Sequence, residues 1–166
     1  MTVDLWGSQS GRLFAEQSNP VLLQKAAIVR KIIFVVDDDP GMRLGVKRLL
    51  NKHGFETELF DSVEDFHERA DVGRPDCLVL DVKLKNKSGI DLSRELANSG
   101  VSVPVIFITG NDTDYSRKAA ADAGCVAYLT KPILGKTLID AIEKATASIR
   151  VGDVEPKGRT RGSGLT

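Results

Sequence analysis

Short apolar runs recur along the middle of the chain and alternate with longer amphipathic segments. Runs of four to eight residues that are rich in β-branched side chains are typical of strands buried on both faces of a parallel sheet. The predicted strands cover residues 32–36, 55–60, 77–80, 103–108 and 126–129. The second of these alternates between apolar and polar positions, so we place it at an edge of the sheet.

The segments between the runs carry helix signals. The predicted helices cover residues 40 to about 53, 62 to about 70, 88–98, 112 to about 123, and 134–149. Asp39-Pro40 is typical of an N-cap followed by proline at the first helical position. Ser62 with Asp65 resembles a capping box, Asp112 is predicted to cap the fourth helix, and Gly54 is a plausible C′ residue after the first.

Strand and helix alternate five times, which predicts an α/β domain. Short, right-handed crossovers then give a parallel sheet with helices on both faces. In such sheets the ligand site lies at the carboxyl ends of the strands. The polar residues that follow the predicted strands are Asp37, Asp38, Asp81, Thr109 and Lys131.

These five side chains suit a divalent cation and a phosphoryl group. A dinucleotide-binding fold would carry a glycine-rich first turn, whereas this turn carries three consecutive acids, Asp37 to Asp39. Clustered carboxylates attract a hard cation such as Mg²⁺. Asp81 could ligate the same cation or act as a nucleophile that forms an acyl phosphate. Thr109 could donate to a phosphoryl oxygen, and Lys131 could bind one or simply balance the acids.

Composition narrows the class of protein. The 166 residues suffice for one domain, and a formal net charge of zero offers no bulk electrostatic case for nucleic acid. No signal peptide is apparent, and the apolar runs are far shorter than the roughly 20 residues of a membrane span. Cys77 and Cys125 belong to strands separated by a third, roughly 9.6 Å apart. We expect two free, buried thiols and a cytoplasmic protein.

The ends of the chain differ from its middle. Residues 1–30 form a polar N-terminal extension that we expect to be mostly disordered, with a possible short helix at residues 21–29. Residues 31–150 form the predicted domain. Residues 151–166 are a polar, glycine-containing tail that we expect to be disordered.

Four segments carry a resemblance to a known family. They are Val35-Val36-Asp37-Asp38-Asp39-Pro40, Leu78-Val79-Leu80-Asp81, Ile108-Thr109-Gly110 and Tyr128-Leu129-Thr130-Lys131-Pro132. In this order and spacing they resemble the receiver domain of two-component response regulators. The resemblance implies a flavodoxin-like, doubly wound (βα)5 fold with strand order 2-1-3-4-5. Residues 60–62, 88–89 and 108–110 look most like the subfamily that often carries a helix-turn-helix output domain.

The resemblance also implies roles for residues. Asp81 would accept a phosphoryl group from a phosphohistidine on a sensor histidine kinase or phosphotransfer protein, with Thr109 and Lys131 contacting that group. Thr109 and Tyr128 would form the switch. The implied Mg²⁺ ligands are Asp38, Asp81, the backbone carbonyl of Lys83 and, through water, Asp37. The Lys131-Pro132 bond is a candidate cis peptide.

One loop departs from the family pattern. Receivers commonly have a proline four residues after the acceptor, whereas residues 83–87 here read Lys-Leu-Lys-Asn-Lys. We expect altered dephosphorylation, because the residues two beyond Asp81 and Thr109, Lys83 and Asn111, tune hydrolysis in the family.

The leading hypothesis is a stand-alone receiver that signals by protein contacts. It would catalyse its own phosphorylation and dephosphorylation but turn over no diffusible substrate. We expect a downstream protein target, a possible homodimer through helix four, strand five and helix five, no membrane association and no direct DNA binding. One alternative is the receiver fragment of a DNA-binding transcriptional regulator. Another is an Mg²⁺-dependent phosphatase, which Lys83 disfavours because such enzymes place an acid at that position.

Overall fold

The apolar runs pair into one parallel sheet, as predicted. The structure is a computed structural model that describes residues 30–147, and within this range five strands form a single sheet. The strands are β1 (Ile32–Val36), β2 (Glu56–Phe60), β3 (Cys77–Asp81), β4 (Val105–Thr109) and β5 (Ala127–Thr130). Their order is β2-β1-β3-β4-β5, with every pair parallel, so the predicted flavodoxin-like topology is confirmed.

Helices connect successive strands along the same part of the chain. They are α1 (Pro40–Lys52), α2 (Val63–Arg69), α3 (Gly89–Asn98), α4 (Asp114–Asp122) and α5 (Gly135–Ala147). Asp39 caps α1, since its side chain accepts hydrogen bonds from the backbone N–H groups of Gly41 and Met42. Gly54 follows α1 with φ of 84°, the left-handed conformation expected of a C′ glycine.

The strands bury both faces because their side chains alternate between two cores. One face carries Phe34 and Phe107, which pack with residues of α2, α3 and α4. The other carries Ile33 and Ile106, which pack with residues of α1 and α5. This arrangement explains the continuous apolar runs in the sequence, since neither face of a central strand meets water.

Several predicted boundaries were wrong by one or two residues: β2 begins at Glu56 rather than at residue 55, and β5 covers Ala127–Thr130 rather than residues 126–129. Two further differences have local reasons. β4 begins at Val105 rather than at residue 103, because Pro104 has no N–H to donate to a ladder, although its carbonyl accepts from the Leu78 N–H at 2.9 Å. The N-cap of α4 is Thr113 and not Asp112. Asp112 instead forms a salt bridge with Arg117.

The capping box predicted for α2 forms only in part. The Ser62 side chain accepts from the Asp65 N–H, as expected of an N-cap. The Asp65 carboxylate, however, accepts from the backbone N–H of Asp61 at 3.2 Å, one residue before the position that a capping box uses. A complete capping box is present instead at α4, between Thr113 and Ser116.

Several predictions concern residues outside the described range. The N-terminal extension with its possible helix at 21–29, the tail at 151–166 and the last two residues predicted for α5 all lie there. Between residues 30 and 147 no helix is long and apolar enough to cross a membrane. Both cysteines are free, as predicted, with Cys77 buried and Cys125 only half-buried. Burial raises the pKa of Cys77 to about 12.

Candidate functional site

The first acids of the site stand where β1 ends. The Asp37 N–H donates to the Phe60 carbonyl at 3.2 Å, which carries the β1–β2 hydrogen bonding one residue past the strand. Asp37 is 2% exposed, and its side-chain Oδ1 accepts from the Asp39 N–H at 2.8 Å. Arg43 Nη1 donates to the Asp37 carbonyl at 2.6 Å from the first turns of α1. Three hydrogen bonds therefore fix the position of Asp37.

Asp81 is the last residue of the neighbouring central strand. It pairs with Ile108 of β4 and is 6% exposed. Its Oδ1 accepts from the Lys83 N–H at 2.9 Å, and its Oδ2 accepts from Lys131 Nζ at 2.7 Å. Both carboxylate oxygens are thus oriented by hydrogen bonds, and the side chain lies at the carboxyl edge of the sheet rather than in either core.

Lys131 joins the two buried carboxylates. Its Nζ lies 3.0 Å from Asp37 Oδ2 and 2.7 Å from Asp81 Oδ2. The backbone of Lys131 is fixed by its N–H, which donates to the Thr109 carbonyl at 2.7 Å, and its peptide bond to Pro132 is cis, as predicted. The structure therefore brings together residues that lie 94 and 50 positions apart in the chain.

The acids form a group with the chemistry of a cation site. Asp37, Asp38 and Asp81 each offer a carboxylate oxygen, and these atoms lie within 4.8 Å of one another. Three carboxylates face one ammonium group, so with all three ionised two negative charges remain in excess. Oxygen donors and this excess charge fit Mg²⁺.

Burial and charge shift the titration of this cluster. Burial raises the pKa of Asp37, and hydrogen bonds from the Asp39 N–H and Lys131 oppose the shift only in part. Burial would lower the pKa of Lys131, but its hydrogen bonds to Asp81 and Asp37 outweigh that effect and raise it. Lys131 is therefore held in its charged form beside the two carboxylates.

Thr109 is close to the site, but its hydroxyl forms hydrogen bonds with the backbone of Asn111. It ends β4 and is 1% exposed. Its Oγ1 donates to the Asn111 carbonyl at 3.0 Å and accepts from the Asn111 N–H at 3.1 Å. Any hydrogen bond from this hydroxyl to a group on Asp81 would have to replace the bond to the Asn111 carbonyl.

Tyr128 is held against α4. The side chain is half-buried, and its hydroxyl lies 2.8 Å from Ser116 Oγ. Ser116 belongs to the capping box of α4, where its Oγ also lies 2.9 Å from Thr113 Oγ1. The Arg117 guanidinium lies 5.3 Å from the centre of the Tyr128 ring. The position of Tyr128 is thus coupled to the start of α4.

Two of the contacts that were not predicted could have been suspected from the sequence. Arg43 was missed, although an arginine four residues after the N-cap Asp39 lies one turn into a helix that begins at the site. Ser116 was missed as the partner of Tyr128, although Thr-x-x-Ser at a helix start is a recognisable capping signal. Neither contact is visible without the packing of α1 and α4 on the sheet.

Known proteins resemble this chain in sequence. A family model described as the response regulator receiver domain matches residues 33–143. Nodulation protein W of Bradyrhizobium diazoefficiens is 37% identical over 72% of this chain and 53% of its own length. The transcriptional regulatory protein TdiR of Thauera aromatica is 34% identical over 69% of this chain and 51% of its own. The chain thus spans about half the length of these relatives.

A solved structure gives the same result. The response regulator receiver protein from Burkholderia phymatum is 35% identical, with a TM-score of 0.63 over 71% of this chain and 96% of that one. The family model covers more than half of the chain, and both sequence relatives exceed 30% identity. The chain therefore belongs to the response regulator receiver domain family.

Proposed function

We propose that this protein is a phosphorylatable receiver in a two-component phosphorelay and that Asp81 accepts the phosphoryl group from a phosphohistidine. The observation that carries the proposal is the position of the Asp81 carboxylate. It stands at the carboxyl edge of the sheet, within hydrogen-bonding distance of Lys131 and beside two further acids. A purely structural aspartate would not need this surplus of negative charge around it.

The donor set supports a divalent cation. Asp37, Asp38 and Asp81, together with the backbone carbonyl of Lys83, would hold Mg²⁺. The N–H of Lys83 already donates to Asp81 Oδ1, which keeps the backbone of Lys83 beside the acceptor. When bound, the cation would supply positive charge that offsets the charge of a transferring phosphoryl group.

The transfer itself exchanges one bond for another. A carboxylate oxygen of Asp81 forms a bond to phosphorus while the phosphorus–nitrogen bond of the phosphohistidine breaks. The electron pair stays on the imidazole nitrogen, which then takes a proton from solvent. Lys131, held in its charged form, would bind a phosphoryl oxygen as a point charge. The reaction ends at the acyl phosphate or at its hydrolysis, so no diffusible product other than phosphate is formed.

The new group would be sensed by Thr109 and Tyr128. A phosphoryl group adds roughly −1.5 to −2 charges and strong acceptor oxygens. The Thr109 hydroxyl would exchange its bond to the Asn111 carbonyl for one to the phosphoryl group. Tyr128 would then move relative to Ser116, which alters the surface formed by α4, β5 and α5. That surface would meet a downstream protein or a second copy of the chain in the cytoplasm.

Phosphorylation is tested with a small donor. The protein is incubated with Mg²⁺ and acetyl phosphate and then analysed by intact-mass and peptide mass spectrometry. We expect one acid-stable, base-labile phosphoryl adduct at Asp81, and no adduct in Asp81→Ala. The control is Asp91→Ala, an exposed acid on α3 that should phosphorylate like wild type. An adduct at another residue, or one that persists in Asp81→Ala, would contradict the assignment.

A second function is favoured by the relatives. Because the chain spans about half the length of proteins such as TdiR, it could serve as the receiver part of a DNA-binding regulator. A gel-retardation series with promoter fragments is run with and without acetyl phosphate. Retardation in either state would show that this chain itself binds DNA and would refute the stand-alone receiver.

A further inference from the structure

We infer that the loop between β3 and α3, residues 82–88 and here called the lysine loop, docks an acidic protein surface around the phosphohistidine of the donor. This inference rests on the proposed phosphorylation of Asp81. The inference goes beyond that proposal because it names the surface that selects the donor protein and the charge that such a partner carries.

The lysine loop has a defined shape. Leu84 is 6% exposed and packs into the core that also holds Ile90. Its N–H donates to the Lys87 carbonyl at 3.1 Å, and Lys83 and Ser88 form an antiparallel bridge across the turn. With Leu84 directed inward, Lys83, Lys85 and Lys87 are all exposed. The positive charges are therefore displayed on an anchored turn.

These charges have few partners of opposite sign. Among residues 30–147, no salt bridge involves Lys83 or Lys85, and the Lys87–Glu64 pair is long at 3.9 Å. Other basic residues are paired more closely, such as Lys136 with Asp140 at 2.6 Å. Three like charges in five residues repel one another, and an acidic partner would relieve this repulsion.

The loop lies directly beside the acceptor. The backbone of Lys83 contacts Asp81, and Lys83 and Lys87 also line an open cleft of about 510 Å³ that reaches Thr109 and Tyr115. A protein that delivers a phosphoryl group to Asp81 would come within reach of this loop. The structure thus places a basic surface beside the acceptor.

The arrangement favours a protein partner over a small anion. Lys85 does not line the cleft, so the three charges extend beyond the space that a small phosphodonor could fill. The chain as a whole carries no net charge, so its overall charge does not supply the attraction. Exposed charges at the rim of an interface mainly change the rate of encounter and its dependence on salt. The transfer rate is therefore the quantity to measure.

The test uses two synthetic donor peptides that share one phosphohistidine and differ only in having glutamate or glutamine at the flanking positions. Transfer to the full chain is measured at ionic strengths of about 10 mM and about 0.15 M, where the Debye lengths are about 30 Å and about 8 Å. The variant is Lys85→Gln/Lys87→Gln, which leaves Lys83 unchanged. The matched control is Lys52→Gln/Lys144→Gln, which removes two lysines from the last turns of α1 and α5.

At low ionic strength we expect the wild type and the control to react about tenfold faster with the glutamate peptide than with the glutamine peptide, within the range of electrostatic steering. This preference should disappear in Lys85→Gln/Lys87→Gln and at the higher ionic strength. An equal preference in that variant and in the control would overturn the docking surface, as would no preference in the wild type.

A control reaction with a small donor tests whether Asp81 is still reactive in each variant. Phosphoramidate, a small donor, is used to phosphorylate all three proteins. Equal incorporation shows that Asp81 is intact in each, so a lost peptide preference is assigned to the loop. No incorporation in the wild type would instead refute the phosphorylation of Asp81, a result distinct from a lack of discrimination between peptides.

Discussion

Lys131 is the residue on which the electrostatics of the site depend. It forms hydrogen bonds to two buried carboxylates, and among residues 30–147 it is the single ammonium that bonds to both. Burying a carboxylate is costly unless it is paired and hydrogen-bonded. Here the single ammonium group of Lys131 lies in a cluster with three carboxylates, so the site keeps an excess of negative charge. This charge attracts a divalent cation, and without such a cation it lowers the stability of the folded state.

Replacing Asp37 by asparagine should stabilise the protein in the absence of Mg²⁺. Burial raises the pKa of Asp37 above 3.8, so ionising it in the folded state costs free energy that grows as pH rises through the folded pKa. Asparagine can still accept the hydrogen bond from the Asp39 N–H. We expect a gain of about 0.5–2 kcal/mol in unfolding free energy at pH 7, a size common for such changes.

The measurement is urea denaturation of both proteins with EDTA present. The gain should shrink as pH falls from the folded pKa through the ordinary value of 3.8, and it should vanish below that value, where the Asp37 carboxyl is neutral in the folded and unfolded states alike. A wild type that is more stable than Asp37→Asn at pH 7 would show that the pairing with Lys131 outweighs the cost of burial.

At the scale of elements, the end of β3 and the start of α3 are in close contact. A Cβ on Gly89 would lie 2.1 Å from the backbone oxygen of Asp81, nearer than any real contact allows. Gly89 also donates its N–H to the Val82 carbonyl at 3.1 Å. The absence of a side chain at this position is what lets α3 begin beside the acceptor strand.

Two glycine substitutions should therefore act in opposite directions. Gly89→Ala must shift backbone next to Asp81, and we expect a loss of at least about 2 kcal/mol in unfolding free energy. Gly45→Ala lies in α1, where a Cβ meets nothing within 4 Å, so we expect a gain of about 0.5–1 kcal/mol. Chemical denaturation of both variants measures this, and equal effects would refute the contact.

The link between α4 and β5 gives a second prediction at this scale. Ser116 Oγ lies within hydrogen-bonding distance of both Tyr128 and Thr113, so Ser116→Ala removes a capping partner and leaves the tyrosine hydroxyl without its contact. We expect a loss of about 1 kcal/mol. A double-mutant cycle with Tyr128→Phe should give a coupling energy of about 0.5–1.5 kcal/mol. Additive effects would mean that the two hydroxyls do not interact.

At the scale of the whole molecule, the site exists only in the folded state. The site is formed at the ends of three strands, by Asp37, Asp81 and Lys131. These residues meet because β1 lies next to β3, and only β4 lies between β3 and β5. A ligand that needs all of these groups binds the folded state alone, and it therefore stabilises the fold by mass action.

Mg²⁺ should consequently raise the midpoint of thermal unfolding. At a concentration 100 times its dissociation constant, the expected stabilisation is about 2.7 kcal/mol. Asp38→Asn should lose most of this effect because it removes one of the three clustered carboxylates. Asp114→Asn, an exposed acid at the start of α4, is the control. Equal Mg²⁺ responses in the two variants would exclude Asp38 from the cation site.

Much of the fold was predictable because its signals are local. The apolar runs, the Asp39-Pro40 cap and Gly54 each depend on a few adjacent residues. The cap and Gly54 were found where they were predicted, and each run forms a strand whose bounds lie within two residues of the prediction. The candidate site followed from the same logic, since Asp81 and Lys131 directly follow strand-forming runs. The start of β4 was missed because the apolar pattern outweighed the missing N–H of Pro104.

The sequence alone thus determined which polar residues reach the carboxyl edge of the sheet, because strand ends are a local property of the chain. Only the tertiary structure decided how they are paired: Lys131 between Asp37 and Asp81, Thr109 on Asn111, and Tyr128 on Ser116. These contacts depend on side-chain directions and distances of a few ångströms between elements far apart in sequence. Such distances are set by the packing of helices on both faces of the sheet.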